Sequence, residues 1–365
     1  MTQAALPGSG ALPRSDALPR SALAAVYTSR GRVSLEQRPL GPLDAGQVAV
    51  EVSHCGICGS DLHLIDEGWG RPGDVFGHEW SGTVRAVGAG VEGLAPGDRV
   101  IGVESPRCGQ CPACLAGRPS QCEHRDAVTG HFDGAFATHV VADAAAVLPI
   151  PEGLGLREAA LAEPLAISLH ALTRSGIEAG QDAMVLGAGP LGALIAALLI
   201  GDGHRVAVVE PAERRAELAR RLGAVEVRHP DELPTFDMAQ VDVLAPDPVD
   251  VAFECSGRVS AMEAGFQQLR RGGRLVLLGT GMERPSFDPN RMIVLELSVC
   301  GSFVYDTGGF QRALDLLASG ALPTDVLIDD TEYGLDGVAV AAGRLARGEH
   351  AGKVMVVPSL TRVDP

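Results

Sequence analysis

One half of this chain carries two groups of soft metal ligands. Cys108, Cys111, Cys114 and Cys122 follow the spacing C-x2-C-x2-C-x7-C. Four thiolates this close in sequence can wrap one Zn²⁺ tetrahedrally and leave no coordination position open, so the role of such a site is structural. Gly109, Pro112 and Gly117 suit the turns that a loop of this kind needs. Free or disulfide-bonded cysteines are the plainer alternative. A zinc ribbon gripping nucleic acid is disfavoured, because few Lys or Arg residues flank the cluster.

The second group begins at Cys55-Gly-Ile-Cys58-Gly-Ser60-Asp61-Leu-His63 and continues at Gly77-His78-Glu79. Cys55 and Cys58 read as a redox pair or as half of a zinc site. His78 and Glu79 add an imidazole and a carboxylate, a mixture suited to zinc with one position left open for substrate. His54, His124, His131 and His139 lie in the same half, and each alone reads as a surface or packing residue. His170 reads as packing, and Cys255 and Cys300 as core.

Further on, Met184-Val-Leu-Gly187-Ala-Gly189-Pro190-Leu191-Gly192 places G-x-G-x-x-G after a strand and at the opening of a helix. The first glycine makes the turn, the second lets a pyrophosphate approach the backbone, and the third lets helix and strand pack closely. The helix N-terminus favours the anion. The next strand ends in Glu210, whose carboxylate can accept from both ribose hydroxyls and repels a 2′-phosphate. That favours NAD, with NADP as the alternative. Arg214 and Arg215 are placed to neutralise a phosphate, or else lie on the solvent face of the following helix. A dinucleotide-type domain holding no ligand is the bland alternative.

These residues must be positioned by two kinds of structure. From about residue 22 to 150, short β-type runs (47–52, 82–87, 98–103) are punctuated by Gly, Pro and Asp, the pattern of a barrel-like β region. After about residue 151, strands at 183–186, 205–209, 249–253 and 275–278 alternate with helices at 190–200, 212–222 and 260–269. That alternation means crossovers and a parallel sheet. The tail from about residue 305 returns to a mixed pattern. The expected organisation is a disordered extension over 1–22 and a β-rich domain, the first part of what the resemblance below implies is the catalytic domain, over 23–160 with its zinc lobe at 105–125. A dinucleotide-binding domain follows over 161–304, and a return segment of the catalytic domain over 305–365.

Composition narrows the partners. Aromatic residues are only 4%, so the cores rest on Ala, Val and Leu. The net charge of −16 repels phosphate backbones and anionic headgroups, which argues against nucleic acid and membrane surfaces. The most apolar run, 184–200, is broken by three glycines and a proline and is short for a membrane span. The start of the chain repeats an Ala-Leu-Pro phrase with no continuous apolar stretch, unlike a signal peptide. A cytoplasmic protein is expected.

The order of Cys58, Ser60-Asp61, His63, Gly77-His78-Glu79, the cysteine lobe and the glycine-rich turn resembles the zinc-containing medium-chain alcohol and polyol dehydrogenases. The resemblance runs from about residue 25 to 358. It implies a GroES-like β-barrel catalytic domain enclosing a Rossmann doubly wound parallel sheet, with the active site between them. Cys58 and His78 become catalytic zinc ligands and Cys55 does not. Glu79 becomes the adjacent carboxylate that binds the metal or supports its ligands. Alcohol dehydrogenases proper use a further cysteine where this chain reads Leu161-Ala-Glu163-Pro164, so Glu163 stands in its place. That is similar to the sorbitol, butanediol and threonine dehydrogenase branches, and more loosely to cyclitol dehydrogenases. Ser60 and His63 are implied to pass the released proton outward, with Asp61 orienting His78.

The implied reaction is hydride transfer between NAD(P) and a small polar alcohol or its ketone. Carboxylates at the metal favour a polyol, sugar, cyclitol or hydroxy amino acid over a hydrocarbon alcohol. The family commonly forms homodimers or homotetramers. Two rivals remain. A zinc-free quinone or enone reductase lacks the cysteine lobe and the Cys/His pair. A catalytically silent dinucleotide sensor keeps the fold.

Overall fold

A computed structural model describes residues 18–103, 108–124, 134–237, 239–281 and 283–362. Most of the expected extension, residues 1–17, lies outside the described residues, as does His131. Within 18–22 the chain already enters a strand. β1 (Ser21–Ser29) pairs antiparallel with β2 (Arg32–Pro39), with Ser21 opposite Pro39.

The first half then lays down β3 (Gln47–Gly56), the short helix α1 (Gly59–Ile65), β4 (Glu79–Val87) and β5 (Arg99–Gly102). The cysteine lobe follows with α2 (Pro112–Leu115), then β6 (His139–Asp143) and β7 (Val147–Pro149). In β3, Val48, Val50 and Val52 are buried while Glu51 and Ser53 are half-buried, the period of two of a sheet with one buried face, and the small Ala49 is buried on the other side. The strands expected at 47–52 and 82–87 are longer than the apolar pattern implied. β3 runs on to carry Cys55, and β4 starts early enough to carry Glu79. Both extensions bring chemistry-bearing residues into the sheet.

Two helices, α3 (Leu156–Ala159) and α4 (Ala162–Ser175), lead into alternating strand and helix. These are β8 (Asp182–Leu186), α5 (Pro190–Gly201), β9 (Arg205–Val209), α6 (Glu213–Leu222) and β10 (Glu226–Arg228). Next come β11 (Val249–Glu254), α7 (Val259–Gln267), β12 (Leu269–Leu277), α8 (Pro289–Val294) and β13 (Ser298–Gly301). The sheet order is β10-β9-β8-β11-β12-β13, and every pairing is parallel. Strand order reverses between β8 and β11, which opens a crevice at their carboxyl ends. α5 is apolar all round because both its sides are covered.

The last segment holds α9 (Gly309–Ala318), α10 (Thr324–Leu327), β14 (Ile328–Tyr333), α11 (Val338–Ala346) and β15 (Lys353–Val356). β15 pairs with β3, with Met355 opposite Gly56, so the end of the chain rejoins the first sheet in the order β14-β15-β3-β4-β5-β7. No helix among the described residues is long and apolar enough to cross a membrane.

Candidate active site

Cys58, His78 and Glu79 come together. One ligand atom from each lies within 4.8 Å of the others. Cys58 caps the amino terminus of α1, and Asp61 reaches back so that its Oδ2 accepts the Cys58 N–H at 2.9 Å. His78 follows Gly77, whose φ of +93° turns the chain. A Cβ on Gly77 would stand 2.7 Å from Phe136 and 2.8 Å from the Cys55 sulfur. Only glycine fits there, which fixes where β4 begins and hence where His78 points.

Asp61, sealed from solvent, holds Oδ1 3.9 Å from His78 Nδ1. Burial pushes the His78 imidazole down, but the neighbouring Cys58, Asp61 and Glu163 outweigh it and hold the ring well above its usual value. Cys55 sits in the core, and burial pushes its thiol well up. A protonated, enclosed thiol is a poor redox partner, which disfavours the dithiol reading of Cys55 and Cys58.

Glu163, in the first turn of α4, is buried close to this group without joining its tightest cluster. Burial pushes its carboxyl up to about 7, opposed by His78 and assisted by Glu79. Asp61 Oδ1 and Glu163 Oε2 are buried and accept no hydrogen bond among the described residues, whereas both Glu79 oxygens face the Lys353 ammonium at 2.6 Å. Two carboxylates with unmet acceptor capacity, with Glu79 beside them, next to a thiol and an imidazole fit a divalent cation such as zinc.

One residue of this site escaped sequence reasoning. Lys353, at the start of β15, is buried and sets its ammonium 2.6 Å from Glu79, with a further hydrogen bond of 3.2 Å to the Ile57 carbonyl. A Cβ on Gly56 would stand 2.2 Å from Glu79 Oε2 and 2.9 Å from Lys353 Cδ, so glycine there makes room for the pair. The signal was available. Lys353 is the single lysine in a chain that otherwise uses 29 arginines, and it opens an apolar run.

Ser60 is exposed at the start of α1, and His63 lies one turn on. His63 Nδ1 faces Glu67 at 3.0 Å, and its ring stacks on Trp69 at 4.8 Å. No hydrogen bond joins Ser60 to His63 among the described residues. His170, read as packing, is buried with Nδ1 3.5 Å from Asp306, so it is paired as well as packed. Cys255 and Cys300 are partly buried against the dinucleotide-type core.

In the lobe, the sulfurs of Cys108, Cys111, Cys114 and Cys122 lie within 4.8 Å of one another. Backbone amides already donate to two of them, Cys108 N to Cys122 Sγ at 3.4 Å and Cys111 N to Cys108 Sγ at 3.3 Å. Backbone hydrogen bonds, that from Cys114 foremost, pull the Cys111 thiol down to about 6, while burial helps push Cys114 up to about 12. Four thiols at one point cannot all ionise without a cation among them, and the donor set suits zinc.

At the crevice, Gly187 has φ +91°, and a Cβ on Gly192 would stand 1.9 Å from the Gly187 carbonyl oxygen. A Cβ on Gly189 meets only Arg215, at 3.8 Å, so the space above that residue is open to a ligand. Pro190 and Leu191 begin α5. Glu210 is buried and bridges the turn. Oε2 accepts the Ala188 amide at 2.7 Å and Oε1 the Ala212 amide at 2.9 Å. Each oxygen keeps a second lone pair for a ribose hydroxyl. Arg215 is not on the solvent face. It folds back over the turn and donates to the carbonyls of Leu345 and His350. Facing the turn, Gly257, Gly279 and Gly281 are packed backbone to backbone, a Cβ on Gly279 falling 2.0 Å from Gly257 N.

Comparison with known proteins agrees with this fold. Residues 44–152 match the model of the alcohol dehydrogenase GroES-like domain, and residues 190–319 that of the zinc-binding dehydrogenase domain. The chain is 35% identical to the 2-dehydro-3-deoxy-L-galactonate 5-dehydrogenase of Pseudoalteromonas atlantica, over 76% of this chain and 82% of that protein. It is 31% identical to the sorbitol dehydrogenase of Bacillus subtilis, over 92% and 97%. Among solved structures, 2R,3R-butanediol dehydrogenase from Bacillus subtilis superposes with a TM-score of 0.79 at 28% identity, covering 93% of this chain and 100% of that one.

Proposed function

The chain belongs to the zinc-binding alcohol dehydrogenase family, and on that premise we propose that it transfers hydride between NAD and a small polar secondary alcohol or its ketone. The observation that carries the proposal is the convergence of Cys58, His78 and Glu79 beside Asp61 and Glu163, each of which has a buried carboxylate oxygen that accepts no hydrogen bond among the described residues. Cys58 and His78 would hold a catalytic zinc, with Glu79 and Glu163 beside it. Cys108, Cys111, Cys114 and Cys122 would hold a structural one.

Zinc bound there supplies Lewis acidity that eases loss of the substrate hydroxyl proton, and the nicotinamide supplies the hydride acceptor. The chain's own residues do the rest. Asp61 fixes the orientation of the His78 ring. Lys353 neutralises Glu79, leaving the site less anionic than its carboxylates alone would make it. Ser60, exposed at the start of α1, would take the substrate proton as its own hydroxyl proton leaves, and His63, backed by Glu67 and one turn on, would receive that proton through solvent. Buried acceptor oxygens suit a substrate with several hydroxyls, so a polyol, sugar acid, cyclitol or hydroxy amino acid is the expected class. Relatives named for sorbitol, xylulose and galactonate chemistry support it.

Glu210 at the ribose position supports NAD over NADP, although a zinc-binding dehydrogenase relative from Sinorhizobium meliloti was solved with NADP (TM-score 0.80, 31% identity, 93% of this chain and 99% of that one). β13 is the edge of its sheet, and Ile293 beside it is exposed, which supports a homodimer or homotetramer. All eight cysteines are free, which supports a reducing, cytoplasmic setting.

The test is a panel of polyols, cyclitols, secondary alcohols and threonine with NAD and NADP, with zinc measured in parallel. Turnover of a polyhydroxylated member with NAD, together with two zinc ions per chain, is expected. Tight NADH binding with no turnover of any member makes the chain a sensor and overturns the enzymatic reading.

A further inference from the structure

The return segment comes back over the amino-terminal end of α6, beside the glycine-rich turn. Arg214 Nη1 donates to the Glu349 carbonyl at 2.9 Å. Arg215 Nε donates to the His350 carbonyl at 3.2 Å, and Nη2 to the Leu345 carbonyl at 2.5 Å. Gly348 has φ +72°, and a Cβ there would stand 2.8 Å from the Ala212 Cβ, so any side chain would push this segment off α6. Leu345 lies in the last turn of α11, and its carbonyl also accepts the Gly348 amide at 3.1 Å, so Arg215 shares an acceptor already engaged at the end of that helix. Arg215 Nη1 has no hydrogen bond among the described residues and lies 3.8 Å from the point that a Gly189 Cβ would occupy.

The residue that supplies one of these carbonyls is itself locked. The His350 ring is buried, with Nε2 2.8 Å from the Tyr333 hydroxyl and Nδ1 3.2 Å from Asp329 Oδ2. The same Asp329 oxygen accepts the Ala351 amide at 3.1 Å, and Arg344 donates to the Tyr333 hydroxyl at 3.0 Å. The backbone at 350–351 is thus held from both sides of the imidazole. Carbonyl acceptors fix a guanidinium fork without cancelling its charge, as a carboxylate partner would.

We propose that His350 is a positioning residue for dinucleotide binding. Clamped by Asp329 and Tyr333, it holds the carbonyl on which Arg215 is seated, and so aims the Arg215 cation at the open space over Gly189 where a pyrophosphate approaches. Cofactor affinity then depends on a residue of the return segment that never touches the cofactor. The proposal rests on the dinucleotide-binding reading of the turn.

The test is the NADH dissociation constant, read by nucleotide fluorescence on the intact protein without substrate, for wild type, R215A, H350A and the double variant. H350A and R215A are each expected to weaken NADH about tenfold, the size of one charge-assisted hydrogen bond. The double variant is expected to be no weaker than R215A, because His350 acts through that arginine. Additive losses, or an H350A constant within twofold of wild type, overturn the proposal. Should H350A fail to fold, Y333F removes one clamp without emptying the site. It should weaken NADH in wild type and leave it unchanged in the R215A background, and any other result overturns the proposal. A wild-type protein that binds no NADH instead overturns the dinucleotide reading itself.

Discussion

The Lys353 ammonium lies 2.6 Å from each carboxylate oxygen of Glu79, and both residues are sealed from solvent. A buried ion pair adds little net stability over an apolar pair, but removing one partner strands the other's charge. Lys353→Met should therefore lower unfolding stability by about 3–5 kcal/mol in urea titrations. Adding Glu79→Gln should recover part of that loss. A single variant as stable as wild type would mean that Glu79 is neutral in the folded protein.

The two metal sites should separate by mutation. Cys58→Ser should leave one zinc per chain by elemental analysis, with turnover reduced at least about a hundredfold and the melting temperature close to wild type. Cys114→Ser should also leave one zinc, but with a clear fall in melting temperature, since a closed four-thiolate site contributes to folding. Identical behaviour of the two variants would argue against distinct catalytic and structural roles.

Within the glycine-rich turn, the second and third glycines should fail differently. Gly189→Ala meets only Arg215, so the protein should fold normally and bind NADH more weakly. Gly192→Ala drives a methyl group to 1.9 Å from the Gly187 carbonyl oxygen and should destabilise the domain itself. Thermal melts beside NADH titrations distinguish the two outcomes.

For the metal-free protein a pH dependence follows from Glu163. Burial raises its folded pKa from an ordinary value near 4.5 to about 7. A carboxyl raised in this way contributes stability at low pH that is lost as pH climbs from about 4.5 through 7. His78, raised by its anionic neighbours, acts in the same direction, since its contribution is also lost as pH rises through its elevated value. The melting temperature of chelated wild type should therefore fall across that window relative to Glu163→Gln. A flat difference between the two proteins would show that Glu163 stays ionised.

The candidate ligands were legible in the sequence because local spacing reports them. The four lobe cysteines, the glycine-rich turn and the Cys58/His78 pair all depend on residues close in the chain or on a known motif order. What stayed hidden depends on contacts between distant segments. Lys353 is 274 positions from Glu79, and no periodicity links them. Arg215 looked like a solvent-facing helical arginine because α6 is strongly polar on one side, yet the return segment covers it. The same blindness put the start of β1 inside an extension read as disordered, because the repeated Ala-Leu-Pro phrase shows no strand pattern while pairing with β2 decides the structure of Ser21 and Ala22.

The sheet that carries Cys55 and Glu79 is completed by β15, close to the end of the chain. During synthesis, Cys58, His78 and Glu79 emerge long before the amine that balances them, and the whole parallel-sheet domain is made in between. A nascent chain halted before residue 353 therefore carries the candidate ligands but not the counter-charge, and on the proposed reading a ribosome-bound fragment of that length should bind zinc more loosely than one in which β15 has joined the sheet.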